Sequence, residues 1–230
     1  MFSESTMPPL DVRGDRAVEA FLQVCSTVGW DPTRVPEAPD LETADFIVTG
    51  PGLTFVTEVK ELIANVEESE QEARLLAGKQ AGFSKVPGDR LRPLIKKANR
   101  QIKTIAQHRM PGLLAVCDTR LLGRLESYDV LTAMYGLQTV VIEGNPNPAV
   151  SPRWVGDRFG GERTVAPGYN RSVSAVAIIR QHPDPNLGML VFHNRFATVA
   201  FDPSAFRLPG FRQFRVTEVE TGVFENWEEV

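Results

Sequence analysis

The residues of this chain best suited to chemistry fall in one stretch, DFIVTGPGLTFVTEVK, residues 45–60. It holds Asp45, Glu58 and Lys60. Of the six lysines in the chain, only Lys60 has an acid two positions before it. Gly50-Pro51-Gly52 predicts a hairpin between strands at 46–49 and 54–60, with Pro51 and Gly52 in the central positions of a type II turn. If that turn carries no bulge, Gly50 opposes Leu53, Ile47 opposes Val56 and Asp45 opposes Glu58. Lys60, two residues further on, shares the face of Glu58. Opposed side chains on one face have Cβ atoms about 4.5–5.5 Å apart, and like charges so placed are destabilising. A cation between the carboxylates removes that cost. Mg²⁺ is typically held by one or two carboxylates, with waters and substrate phosphates in the remaining positions. It polarises a phosphodiester and acidifies bound water. A lysine alongside can orient that water or offset charge developing at phosphorus. The bland alternative is an edge hairpin with a solvated Glu–Lys pair, worth about 0.2–1 kcal/mol.

The elements around the hairpin must position these groups. Residues 15–29 read as a helix, with Val18, Phe21, Leu22, Cys25 and Val28 at helical spacing. Asp15 suits its start and Gly29 its end. Residues 91–109 read as the clearest helix. Leu91, Leu94, Ile95, Ala98, Ile102 and Ile105 line one side and bases the other, and Pro93 fits the first turn. The apolar runs at 113–117 and 139–142 are expected to be strands buried on both faces. A helix at 127–135 and strands at 173–179 and 189–193 follow, and the tail from Phe211 adds one edge strand. Residues 30–43 read as a connection, and residues 61–90 and 145–171 as insertions, the first with room for a short helix. The order of elements predicts an α/β domain with a mixed central sheet flanked by helices. That single domain spans 15–230, behind a loose arm at 1–14.

Asp45, the tripeptide Glu58-Val59-Lys60 on the next strand, a helix carrying Lys97 and Gln101, and the strand at 113–117 together resemble the PD-(D/E)xK nuclease superfamily, over roughly residues 15–143. The resemblance implies a restriction-endonuclease-like core, here with a C-terminal strand extension. It also implies a Mg²⁺- or Mn²⁺-dependent endonuclease or phosphodiesterase whose partner is nucleic acid, in the first place DNA. Asp45 and Glu58 become metal ligands, with Val59 in the same ligand set, and Lys60 assists the nucleophilic water. An acid on the first helix completes such sites, a role that falls here to Glu19. Gln101 takes the polar position facing the site. The literal Pro39-Asp40 pair lies beyond the hairpin pairing, so Asp45 is the aspartate that matches. On the following helix, Lys96, Lys97, Arg100 and Lys103 are expected to carry the nucleic-acid backbone. The alternative reading is an inactive copy of the fold, serving as a protein- or nucleic-acid-binding module in a phage, defence or toxin–immunity system. A homodimer or a protein partner is compatible with either reading.

The bulk composition is consistent with both. The net charge of −4 does not by itself favour nucleic acid, but its distribution is uneven. From Lys79 to Arg109 there are nine basic residues against one acid, Asp89, and such a segment can bind a polyanion locally. The two cysteines, Cys25 and Cys117, lie in apolar surroundings without metal-ligand spacing, as core thiols of a reduced cytoplasmic protein do. The N-terminal residues lack the charge pattern of a secretory signal, and no apolar run approaches the roughly 20 residues of a membrane span. His108 and His182 are expected in solvent, and His193 in a structural hydrogen bond. For Trp30 and Trp154, packing is a more common role than base stacking.

Overall fold

The hairpin forms with the expected register. In the computed structural model, which describes residues 15–107, 109–181, 187–219 and 224–230, β2 (Phe46–Gly50) pairs antiparallel with β3 (Leu53–Leu62). Gly50 faces Leu53, Ile47 faces Val56 and Phe46 faces Thr57, with no bulge. Gly52 adopts φ +70°, the left-handed conformation that a type II turn demands and glycine supplies without steric cost.

The hairpin belongs to an eight-stranded sheet of order β1-β2-β3-β4-β7-β8-β9-β10. β4 (Gly112–Asp118) and β7 (Ala175–Gln181) run parallel to β3, and β8 (Leu187–His193) returns antiparallel to β7. β9 (Phe211–Val219) is parallel to β8, and β10 (Phe224–Glu229) pairs antiparallel with β9. The sheet is therefore mixed, and helices flank it. α1 (Asp15–Val28) covers one face through Ala17, Phe21 and Val24, packed on Phe46, Phe55, Val59 and Ala115. α3 (Arg92–Ala106) covers the other through Ile95, Ala98 and Ile102, packed on Val56, Leu114, Val116 and Val176. α4 (Ser127–Tyr135) joins α3 in that second layer. Each fully buried aliphatic or aromatic side chain contributes about 1.5–3 kcal/mol relative to leaving it in water. The central strands β4 and β7 are apolar on both faces for this reason.

Three expectations need correction. Residues 30–43 are not only a connection: β1 (Asp31–Arg34) pairs antiparallel with β2 and forms the sheet edge. The run at 139–142 is a strand, but not a buried one. β5 (Gln138–Glu143) pairs only with β6 (Arg153–Phe159), within the presumed 145–171 loop, and Val140 and Ile142 are exposed on this two-stranded ladder. An apolar run states what a strand can bury, not that a partner layer exists to cover it. The tail supplies two strands, β9 and β10, where one was expected.

The insertion at 61–90 holds a short helix, α2 (Val66–Leu76). It opens with a capping box: Asn65 accepts from the Glu68 amide at 2.8 Å, and the Glu68 carboxylate accepts from the Asn65 amide at 2.8 Å. No residue of α2 is buried, so capping and ion pairs hold it in place of core packing. Trp30 is a core residue, 6% exposed, set edge-on to Phe55 and Phe206. Cys25 and Cys117 are buried free thiols. His193 bonds Gln213 at 2.9 Å. Residues 1–14, His108 and His182 lie outside the described residues. Among the described residues, no helix is long and apolar enough to cross a membrane.

Candidate metal-binding site

Continuing the β2–β3 register one step past Phe46 sets Asp45 across from Glu58. The Asp45 amide donates to the Thr57 carbonyl at 3.1 Å, and an Asp45 carboxylate oxygen accepts from the Val59 amide at 2.7 Å. The side chain of Asp45 thus extends the ladder where its main chain leaves it, which fixes the carboxylate beside β3. Alternation puts Glu58 and Lys60 on the α3 face, with Val56 and away from Phe55 and Val59. Asp45, across from Glu58, projects to the same side.

Glu58 is fully buried, yet its carboxylate accepts no hydrogen bond of ordinary geometry among the described residues. Its closest partner is the Lys60 ammonium, which contacts one carboxylate oxygen from a side chain that is itself largely covered, and the Gln101 amide lies nearby. Burial pushes the Glu58 carboxyl up to about 7, and the neighbouring Asp45 carboxylate adds to the rise. Lys60 and, less strongly, the Gln101 amide pull against it. Gln101 is a buried α3 residue whose amide nitrogen donates to the Thr43 carbonyl at 3.2 Å, while its amide oxygen has no partner. Asp45 and Gln101 both line a cleft of about 280 Å³, walled by Arg34, Glu37, Leu41 and Thr43.

These groups suit a hard, oxygen-loving cation. Two carboxylates are what Mg²⁺ commonly takes from a protein. An unpaired buried carboxylate oxygen costs free energy that a bound cation recovers. Among the described residues, no group of three or more His, Cys, Asp or Glu side chains is close enough to share a metal, so the arrangement does not suit a closed structural zinc site.

The structure brings Asp45, Glu58, Lys60 and Gln101 together. It separates Glu19 from them. α1 packs on the opposite sheet face, and Glu19 lines a different cleft, at the carboxyl end of β4. A residue on the Phe21 face of α1 cannot approach Glu58 without crossing the sheet. Val59 contributes main chain alone, because its side chain is buried in the α1 layer and its amide already holds Asp45. Lys96, Lys97, Arg100 and Lys103 form an exposed basic stripe on the outer surface of α3. Lys97 lies one turn before Gln101, and Arg100 reaches Glu42 at 3.4 Å, beside Thr43. The stripe therefore borders the Asp45 cleft.

Two features near the site were not legible in the sequence. Arg120, 3% exposed, forks onto Asp118 at 2.9 and 3.0 Å and reaches Glu68 at 3.0 Å. This network ties α2 to the end of β4, and Glu68 also takes Arg90 at 2.6 Å. The second is the cleft that holds Glu19, of about 760 Å³, with Arg16, Arg124 and Arg180 on its walls. Its residues come from α1, the loop after β4 and the end of β7, so no local spacing signals it. Comparison with known proteins returns no matching family model, no matching curated protein and no matching solved structure.

Proposed function

We propose that the protein is a divalent-metal-dependent nuclease that hydrolyses phosphodiester bonds, with DNA as the first substrate to test. The observation that carries this reading is the placement of Asp45 across from a buried, incompletely partnered Glu58, with Lys60 in contact on the same face. Asp45 and Glu58 would hold Mg²⁺ or Mn²⁺, which supplies an acidified water and a polarised phosphate when bound. Lys60 holds the attacking water in line and offsets negative charge that develops at phosphorus. Gln101 offers its unpartnered amide oxygen toward the Asp45 cleft and orients a water or a nucleotide group there. The exposed stripe of Lys96, Lys97, Arg100 and Lys103 takes the flanking backbone phosphates.

Supercoiled plasmid and a labelled linear duplex, incubated with Mg²⁺ or Mn²⁺, test the proposal. Cleavage that requires the metal and falls about 10²-fold or more in Lys60→Ala and Glu58→Gln is expected. Absence of cleavage on DNA and RNA, or cleavage indifferent to both substitutions, overturns it.

A further inference from the structure

We propose that the cleft at the carboxyl ends of β4 and β7 is a second anion site, which binds phosphate groups of a nucleic-acid strand through Arg16, Arg124 and Arg180. This rests on the nuclease reading for its purpose, though not for its geometry.

The first argument is position. Lys60 pairs with Val116, and Val116 pairs with Ile178, so the three lie in one line across β3, β4 and β7. Arg180 is two residues beyond Ile178 and projects to the same face, the face of Glu58 and Lys60. β7 is two strand spacings from β3, about 10 Å. The cleft therefore lies at the carboxyl ends of β4 and β7, with Arg180 on the face of Lys60 and Arg16 and Glu19 on the α1 side. A strand that runs from Lys60 across the ends of β4 and β7 would meet Arg180, and with it the cleft that Arg124 lines.

The second argument is the state of the arginines. Arg180 donates to the Leu125 carbonyl at 2.7 Å, and Arg124 donates through Nε to the Arg120 carbonyl at 2.9 Å. Each guanidinium is thus anchored by one nitrogen while its other donors remain available. Neither forms an ion pair among the described residues, although Glu126 and Glu19 line the same cleft. Arg16, on the first turn of α1, is exposed and also forms no ion pair among the described residues. Asp118, the other acid in this cleft, is held on both oxygens by Arg120. Anchored guanidinium groups facing an open cleft recognise phosphate oxygens through paired donors. A cleft of about 760 Å³ has the capacity of an ordinary ligand site, roughly 300–1,000 Å³.

The test measures binding of the full chain to a fluorescent single-stranded DNA oligonucleotide, without divalent metal and with chelator, so that no cleavage is required. Arg16→Gln and the double variant Arg124→Gln/Arg180→Gln are compared with the native chain, and thermal melting verifies the fold. The double variant is expected to bind about tenfold or more weakly. Its slope of log affinity against log salt should fall by roughly 1.4, about 0.7 for each lost single-strand phosphate contact. Arg124→Lys/Arg180→Lys retains charge without the fork and should fall between. Arg16→Gln, which removes no internal contact, should weaken binding with an unchanged melting point. Unchanged affinity and slope in folded variants overturn the proposal, as does binding of an acidic peptide but not of the oligonucleotide. The two readings fail separately. Loss of DNA binding in the arginine variants, with no metal-dependent cleavage by the native chain, retains the cleft and removes the nuclease. Cleavage that depends on Glu58 but ignores the arginines does the reverse.

Discussion

Glu58 is a carboxyl kept from water on a strand that also carries a close cation, Lys60. Its pKa, raised to about 7 by burial and then by Asp45, has a consequence for stability. The unfolded chain releases this proton near the ordinary glutamate value of about 4.3. Between there and 7 the folded state retains the proton and the unfolded state does not. Stability therefore rises as pH falls through 7, and the full cost of ionising Glu58 is present above it. That cost is on the order of 3 kcal/mol. Glu58→Gln should remove this dependence, leaving the protein more stable than the native chain at pH 8 and more stable by roughly half as much at pH 5.5, where the unfolded chain is ionised and the folded chain is not. Urea unfolding at the two pH values checks this, and equal gains at both would show that Glu58 does not titrate as described. Most of this residue pattern was readable beforehand. The turn chemistry of Pro51-Gly52 set the register, and alternation set the face. The burial of Glu58 was not readable, because it depends on α3 lying over the strand. Glu19 was misplaced because helical spacing gives the apolar stripe of α1 but not the sheet face it covers.

The packing of α3 on the sheet sets the position of Gln101 in the site. α3 approaches β4 closely at Gly112, where an added Cβ would lie 2.3 Å from the Ser172 carbonyl oxygen and 2.4 Å from Ile102 Cγ2. Neither neighbour can yield cheaply, since one is main chain and the other is core. Gly112→Ala should destabilise by about 1–3 kcal/mol through overpacking. Because Ile102 adjoins Gln101, it should also disturb the Gln101–Thr43 contact and lower any activity more than its stability loss explains. Denaturant unfolding and cleavage rates, taken together, separate the two effects. At the same scale, the helices and central strands were legible from period and apolar runs. β5 was legible as a strand but not its exposure, since an apolar run does not show whether a layer covers it, and β6 was not legible, lying in a stretch that reads as an insertion. β1 was hidden because Asp31-Pro32-Thr33-Arg34 reads as a connection. It is an edge strand, where proline is tolerated.

At the scale of the whole molecule, an acidic chain gathers some of its cations in two groups. One is the outer surface of α3 and the other is the cleft of Arg16, Arg124 and Arg180. The paired carboxylates lie between them. Composition revealed the first region because its bases are contiguous in sequence. The second became visible only when α1, the loop after β4 and β7 were brought together by folding. If Asp45 and Glu58 bind a cation, the folded state gains free energy that the unfolded chain does not, about 2.7 kcal/mol at a concentration one hundred times Kd. Mn²⁺ should therefore raise the melting temperature of the native chain and leave that of Asp45→Asn unchanged. Asn at this position retains an acceptor for the Val59 amide, so the fold is preserved while a metal ligand is lost. The most direct measurement is a calorimetric titration of Mn²⁺ into the native chain, Asp45→Asn and Glu58→Gln, at pH 6 and pH 8. The account predicts one site in the native chain, tighter at pH 8 because Glu58 must lose its proton to bind, and no binding in either variant. Absence of binding by the native chain, or binding that survives both substitutions, would contradict it.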